Sequence, residues 1–219
     1  MTFKDGWIPT SQNQVIGESY ADGAFVKAVS AAHGVPGFDF TAPEKDGVPL
    51  GKDSFKQHLN GMQNFVRRGM VSRIVVVGDN DTDHSDAVAA VRRAIREAKD
   101  YPSPSSGPCE SVSNGKVTVG YLMLPEAGHG GCLETLLLRA AMTGAPTAQC
   151  LMDWATCSGF PTTPRNNYDK FKLRSILAAT IRDDPNITLR RIWSKPSNPI
   201  NPGDAAFTWI AEFLRKVFA

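Results

Sequence analysis

Two groups of acidic residues each follow a short apolar run of this chain. The first group is Glu18 and Asp22, and the second is Asp79, Asp81 and Asp83. Carboxylates brought to one place repel one another, and a hard divalent cation with oxygen ligands relieves that repulsion. Mg²⁺ suits such a site because it takes one or two carboxylates directly and keeps several waters. The residue types predict a Mg²⁺ site, with Mn²⁺ as the alternative ion.

Further along the chain, Glu134 is a second-ion ligand candidate together with Asp22, because two-metal sites divide the activation of water and the stabilisation of the leaving oxygen. His84, His129 and Lys172 are candidate contacts to a substrate phosphate. His129 lies in a glycine-rich loop, where backbone N–H groups can meet an anion.

Each of these residues also has a structural interpretation. The stretch around Asp81 reads as an acidic turn, because Asp and Asn favour turns. Asp22 reads as a helix N-cap, and Glu134 as a solvated acid in the first turn of a helix. His84 reads as a residue at a helix start, His129 as an ordinary loop histidine, and Lys172 as part of a solvated helix face. Residue type alone leaves both interpretations open.

The elements that must position these acids alternate between strand and helix. Strands are predicted at 14–17, 37–40, 74–77 and 117–124, and helices at about 22–34, 54–68, 85–99 and 132–142. The run Ile-Val-Val-Val at 74–77 is typical of a central strand buried on both faces. The alternation predicts an α/β domain over residues 1–145, with a mainly parallel four-stranded sheet flanked by helices.

Beyond this domain, residues 146–219 are predicted to form a helical C-terminal extension packed on the core. Its helices are expected near 167–182 and 204–218, with Asp204 as the N-cap of the last one. Residues 100–115, rich in Ser, Pro and Gly, are expected to be a flexible insertion.

In open parallel sheets, functional residues lie at the carboxyl ends of the strands. The predicted strands place the acids at these ends.

Composition narrows the class of protein. The 219 residues carry a formal net charge of +2, which argues against a polybasic mode of nucleic-acid binding but not against a local basic groove. The four cysteines form no CxxC pair, so free thiols in a reducing compartment are expected. No apolar run approaches the ~18 residues that a membrane span needs, and the N-terminus shows no signal segment. A cytoplasmic protein without a membrane partner is predicted.

The order of the acidic motifs resembles the Toprim family of metal-binding domains, found in topoisomerases, primases, OLD-type nucleases and ribosomal-RNA maturases. The first motif is a strand, Glu18 and then Asp22; the second is the 74–77 strand ending in Asp79-x-Asp81. Ser19 stands where the family commonly has Gly. A third segment, 122–134, is similar to a strand–Pro–loop–Gly–x–Leu–Glu element of small stand-alone Toprim proteins related to the OLD nucleases.

The resemblance implies a Toprim-like, Rossmann-like fold and places Glu18, Asp79 and Asp81 at one Mg²⁺ site as catalytic residues, with Asp83 nearby. The expected activity is Mg²⁺-dependent cleavage of nucleic-acid phosphodiesters, or a related phosphotransfer. No tyrosine lies in a recognisable DNA-gate domain and no primase-type zinc domain is evident, which favours a nuclease among Toprim activities.

Two other functions stay open. A catalytically silent Toprim-like module could serve a partner such as an ATPase, since the near-neutral chain has few aromatic residues for base stacking. A haloacid-dehalogenase-like phosphatase would use Asp79 as a nucleophile, but that motif needs Thr or Val where this chain has Asp83. A homodimer is compatible with either function.

Overall fold

The computed structural model describes residues 7–219 except 43, 46, 47, 50, 106, 108, 127, 142–146 and 160–164. Its strands are β1 (Asn13–Gly17), β2 (Asp39–Thr41), β3 (Glu44–Lys45), β4 (Val48–Pro49), β5 (Arg73–Asp79), β6 (Cys109–Ser113) and β7 (Thr118–Leu124). Its helices are α1 (Tyr20–Ala32), α2 (Phe55–Arg67), α3 (His84–Glu97), α4 (Leu133–Ala141), α5 (Thr147–Cys157), α6 (Arg165–Thr180) and α7 (Thr208–Phe218).

The main sheet has five strands in the order β2-β1-β5-β7-β6. The first four are parallel, and β6 pairs antiparallel with β7 at the edge. β3 and β4 form a separate antiparallel pair. The predicted α/β architecture with a mainly parallel sheet and a central 74–77 strand is confirmed.

The strand count differs from the four that were predicted. The fifth strand, Cys109–Ser113, lies inside the 100–115 segment that was expected to be a flexible insertion. Its sequence Cys-Glu-Ser-Val-Ser has one β-branched residue and no strict apolar alternation, and its residues are only half-buried or exposed. Pairing with β7, rather than local propensity, makes this segment a strand. Helix α5 was also not predicted.

Alternation along the strands divides the core between the two faces of the sheet. On one face, Val15, Val75 and Val77 pack in a hydrophobic cluster with side chains of α1, α4, α6 and α7. On the other face, Ile74 and Val76 pack with side chains of α2 and α3. All four side chains of the 74–77 run are fully buried, as expected for a strand covered by helices on both faces.

The C-terminal helices share the first of these clusters. Leu173 and Ile176 of α6 and Ile210 and Leu214 of α7 are buried in the same cluster as the strand valines. Asp204 accepts a hydrogen bond from the backbone N–H of Ala206 at 2.8 Å, capping the 205–207 turn that leads into α7. The predicted domain boundary at residue 145 lies outside the described residues. Within the described part of the chain, no helix is long and apolar enough to cross a membrane.

Candidate functional site

The carboxyl ends of the neighbouring strands β1 and β5 bring Glu18 to Asp79. Pairing sets Gly17 opposite Val77, so Glu18 leaves β1 at the level where β5 ends. One carboxylate oxygen of Glu18, Oε1, accepts a hydrogen bond of 2.8 Å from the backbone N–H of Asp79. Gly78 permits this approach, because a Cβ atom there would lie 3.0 Å from the same oxygen. The fold thus joins two acids that are 61 positions apart in the chain.

Lys52 connects Glu18 to Asp81, and these three residues are called the lysine-bridged group below. The ammonium of Lys52 lies 3.3 Å from Glu18 Oε1 and forms an ion pair with Asp81 Oδ2. The Lys52 side chain is 11% exposed, whereas that of Asp81 is 59% exposed. Burial lowers the pKa of Lys52, but Glu18 and Asp81 outweigh it and raise the pKa above its ordinary value. Lys52 therefore carries its charge into a mostly buried position.

The backbone turns sharply between the two acids of the Asp-x-Asp motif. Strand β5 ends at Asp79, and Asp81 has a positive φ of 52°, a left-handed conformation that Asp tolerates better than most residues. The carbonyl of Asp81 accepts a hydrogen bond of 2.6 Å from the N–H of Gly131. Because the extended alternation stops at Asp79, the two aspartates have different partners: Asp81 contacts Lys52, and Asp79 contacts the start of α4.

Asp22, Asp79 and Glu134 form a second group, called the helix-side acids. Asp79 Oδ1 accepts a hydrogen bond of 2.9 Å from the N–H of Leu133, the first residue of α4. Asp22 accepts from the N–H and hydroxyl of Ser19 at 2.7 and 3.1 Å, which closes a capping box at the start of α1. Ser19, rather than Asp22, is the N-cap. These contacts orient the carboxylates without neutralising them.

Burial and neighbouring acids raise the pKa values of Asp22 and Asp79. Burial, Glu18 and Glu134 raise the pKa of Asp22 to about 7, against hydrogen bonds from Ser19 that lower it. Burial first, and then the charges of Asp22, Glu18 and Glu134, raise the pKa of Asp79 well above its ordinary value. No Lys, Arg or His among the described residues forms an ion pair with a helix-side acid. A bound cation or a proton would relieve the repulsion among these carboxylates.

Carboxylate oxygens are the ligands that Mg²⁺ prefers. In the described ranges, however, no three His, Cys, Asp or Glu side chains are grouped so that they could hold a metal ion. The donor chemistry of Glu18, Asp22, Asp79 and Glu134 still fits a hydrated Mg²⁺, which contacts part of its ligands through water. Cys132 does not add a thiolate ligand, because burial and the charges of Glu134 and Asp79 raise its pKa to about 12.

The loop between β5 and α3 is called the acidic loop. Asn80 and Asp83 lie in it, His84 follows it, and each of the three has a hydrogen-bond partner within the protein. Asp83 is the N-cap of α3 and accepts a hydrogen bond of 3.1 Å from the N–H of Asp86. His84 lies 2.6 Å through Nδ1 from Oδ1 of Asn80. The fully buried Asn80 donates through Nδ2 to the carbonyls of Pro125 and His129 at 2.6 and 2.9 Å. Asn80 therefore ties the acidic loop to the loop that precedes α4.

The two other predicted phosphate contacts also have protein partners. His129 Nδ1 lies 3.5 Å from Glu126 Oε1. Lys172 lies 2.8 Å from Asp169 Oδ1, and its ammonium is 4.5 Å from the centre of the Tyr168 ring. Lys172 thus neutralises a buried aspartate, which is a structural role for this lysine.

Sequence reasoning missed Lys52, Asn80 and Ser19. The spacing of Ser19 and Asp22 is that of a capping box and could have been recognised. Lys52 stands in a short turn among glycines, prolines and other lysines, where nothing local distinguishes it. Asn80 lies between two aspartates in a polar turn, and only its complete burial separates it from its neighbours.

Comparison with known proteins identifies a family for this chain. No curated protein and no solved structure gives a match. A family model described as "Protein of unknown function (DUF3226)" matches residues 12–219, a range that includes the whole sheet, both acidic groups and the C-terminal helices. The chain therefore belongs to the DUF3226 family.

Proposed function

We propose that this protein is a Mg²⁺-dependent nuclease, or a related phosphotransferase, of the Toprim type. The observation that carries the proposal is the proximity of Glu18, Asp22, Asp79 and Glu134 at the carboxyl ends of the parallel strands, where Lys52 pairs with Glu18 alone among these four acids in the described part of the chain. Such an excess of buried negative charge costs folding free energy, so a ligand of positive charge is its simplest explanation. Mn²⁺ is the alternative ion.

Residues of both groups would hold the ion: Glu18 and Asp79 at the strand ends, with Asp22 and Glu134 beside them. A bound Mg²⁺ supplies an activated water and polarises a phosphoryl oxygen. Lys52 is kept charged by Glu18 and Asp81, so its ammonium can donate a hydrogen bond to a phosphate oxygen at this edge. The N–H of Leu133 and the partial positive charge at the start of α4 orient Asp79.

A catalytically silent module is the second candidate, and one observation favours it. Lys52 already bridges Glu18 and Asp81, the residues that the Toprim resemblance assigns to the metal. A protein that neutralises two of its acidic residues with its own lysine could act as a regulatory subunit, for instance of an ATPase, without catalysing a reaction.

One experiment tests the nuclease against this alternative. Purified protein is incubated with labelled DNA and RNA in Mg²⁺, Mn²⁺ or EDTA, and its melting temperature is measured in the same buffers. The nuclease predicts cleavage that EDTA stops and a melting temperature that the ion raises, because binding to the native state stabilises it. A thermal shift without cleavage supports the silent module. Capture of beryllofluoride at Asp79 would instead indicate a phosphatase.

A further inference from the structure

A cavity of about 460 Å³ adjoins the helix-side acids. It lies between α1, α4, α6 and the segment 185–190, and Glu134 forms part of its wall. Ala21, the neighbour of Asp22 in α1, lines the same side. One side of the cavity is therefore formed by a helix-side acid and by the neighbour of another.

Basic and polar side chains also line the cavity. Arg174 of α6 and Arg190 line it together with Asn186 and Thr188. Within the described residues, neither guanidinium forms an ion pair, whereas the adjacent Arg191 lies 3.4 Å from Asp184. Two unneutralised guanidinium groups in one cavity are suited to an anion, and Arg binds phosphate through a planar fork of donors.

The position of Arg190 is partly fixed before any ligand binds. Its guanidinium carbon lies 4.8 Å from the centre of the Tyr20 ring, in a cation–π contact. Tyr20 is the first residue of α1, directly after the Ser19 cap. The first turn of α1 therefore contains Asp22, one of the helix-side acids, and its first residue, Tyr20, contacts Arg190 of the cavity.

We infer that this cavity binds the phosphate group of a nucleotide, with Arg174 and Arg190 as the residues that contact the phosphate. Glu134, which lines the same cavity, is one of the helix-side acids. The inference rests on the proposed function in one respect: the bound phosphate neighbours the phosphodiester that is cut. The half-buried Leu189 adds apolar surface for the base. The site supplies the local basic surface that a net charge of +2 does not reveal.

The test measures binding separately from cleavage. A fluorescein-labelled single-stranded oligonucleotide, as DNA and as RNA, is titrated with protein in Ca²⁺ buffer and followed by anisotropy. Adenosine monophosphate is titrated by calorimetry. The variants are Arg174→Gln, Arg190→Gln and the double variant, with Arg182→Gln and Arg191→Gln as controls, because neither control residue lines the cavity.

Each cavity variant is expected to weaken binding by about tenfold, the loss typical of one charge-assisted hydrogen bond. For the oligonucleotide, the slope of log K against log salt falls by about 0.7 for each phosphate contact removed. The controls bind within about twofold of the wild type, since exposed charges away from a site contribute little. Far-UV circular dichroism checks that all the variants fold.

The outcomes separate this inference from the proposed function. Arginine-dependent binding in Ca²⁺, with no cleavage of the same oligonucleotide in Mg²⁺ or Mn²⁺, supports the cavity and contradicts the nuclease. Cleavage that depends on Asp79, with unchanged binding by the double variant, overturns the cavity and leaves the nuclease. Arginine-dependent binding of adenosine monophosphate alone identifies a free nucleotide as the ligand, and binding of neither probe by the wild type overturns the inference.

Discussion

The lysine-bridged group and the helix-side acids lie at the same sheet edge but balance their charge differently. Glu18 and Asp81 share the ammonium of Lys52, and Asp81 is largely exposed. Among the described residues, Asp22 and Asp79 receive hydrogen bonds from neutral groups alone, those of Ser19 and Leu133. The pKa of Asp79 is accordingly raised by burial and by its acidic neighbours.

This difference indicates which of the two groups a bound cation should stabilise more. At the lysine-bridged group, an added ion competes with an ammonium that is already present. At the helix-side acids, an added ion removes a repulsion that nothing else in the described structure relieves. Because a proton and a metal ion compete for the same carboxylates, the helix-side acids should bind metal better as pH rises.

The largest effect is expected from Asp79→Asn. The substitution is nearly isosteric, so the fold is kept, but cleavage should fall by about 10²- to 10³-fold, as when a stabiliser of transition-state charge is removed. The variant without metal should melt at a higher temperature, because one repelling charge is gone, and Mg²⁺ should no longer raise that temperature. Asp81→Asn is the matched comparison and should lower cleavage by only about tenfold.

Retention of cleavage and of the Mg²⁺ response by Asp79→Asn would contradict the assignment of the helix-side acids as the metal site. Equal losses in Asp79→Asn and Asp81→Asn would show that the two groups act as one site, despite their different partners.

The pH dependence of stability should come from the helix-side acids. The pKa of Asp22 rises from 3.8 to about 7 on folding, so the folded state holds a proton that the unfolded state releases between these values. Its contribution to the free energy of unfolding is therefore greatest at low pH and is lost as pH rises towards 7. Asp22→Asn should flatten this dependence and stabilise the protein at pH 8 by a few kcal/mol, at about 1.4 kcal/mol per pKa unit.

Urea unfolding of the wild type and Asp22→Asn across this pH range provides the measurement. Asp86→Asn, in the first turn of α3, is the control and should leave the pH dependence in place. A wild-type curve whose stability rises between pH 4 and 7, with Asp22→Asn following the same rise, would show that Asp22 does not govern it.

Lys52→Gln is expected to change the stability of the metal-free protein less than Asp79→Asn or Asp22→Asn, and to lower it rather than raise it. Loss of the ammonium leaves Glu18 and Asp81 without their partner, so the metal-free protein should lose about 1–2 kcal/mol of stability. The loss of a competing positive charge should also increase the melting-temperature shift caused by Mg²⁺. Thermal melts with and without the ion measure both, with Lys56→Gln as the control, because Lys56 pairs with the exposed Glu97. A smaller Mg²⁺ shift would mean that Lys52 supports the ion rather than competing with it.

The smallest effect concerns Asp83, which belongs to neither group. As the N-cap of α3 it should be replaceable by Asn with little change in stability, since both residues cap well, whereas Asp83→Ala should cost about 1 kcal/mol. Both variants should keep the Mg²⁺ response. Chemical denaturation and a metal titration of the pair check this, and loss of the Mg²⁺ shift in Asp83→Asn would place Asp83 among the ligands.

The sequence by itself determined the parts of this protein that depend on local pattern. The β-branched run at 74–77 can be buried only inside a sheet covered on both faces, and the apolar periodicity of α2 and α3 follows from the same burial. The sequence also places Glu18, Asp79 and Asp81 at one edge of the sheet, because acids that follow parallel strands share that edge, and their role as metal ligands stays a prediction. Strand β6 was not predicted, because its Cys-Glu-Ser-Val-Ser sequence carries little strand propensity and forms by pairing with β7.

Tertiary structure alone decided how the acids differ from one another. The ammonium of Lys52, from the turn before α2, and the N–H of Leu133, from α4, come from two distant segments of the chain. No pattern around position 79 or 81 encodes them. Charge balance depends on distance and burial, which are properties of the folded chain, so the sequence could place carboxylates at one edge but could not tell which of them has a lysine as its partner.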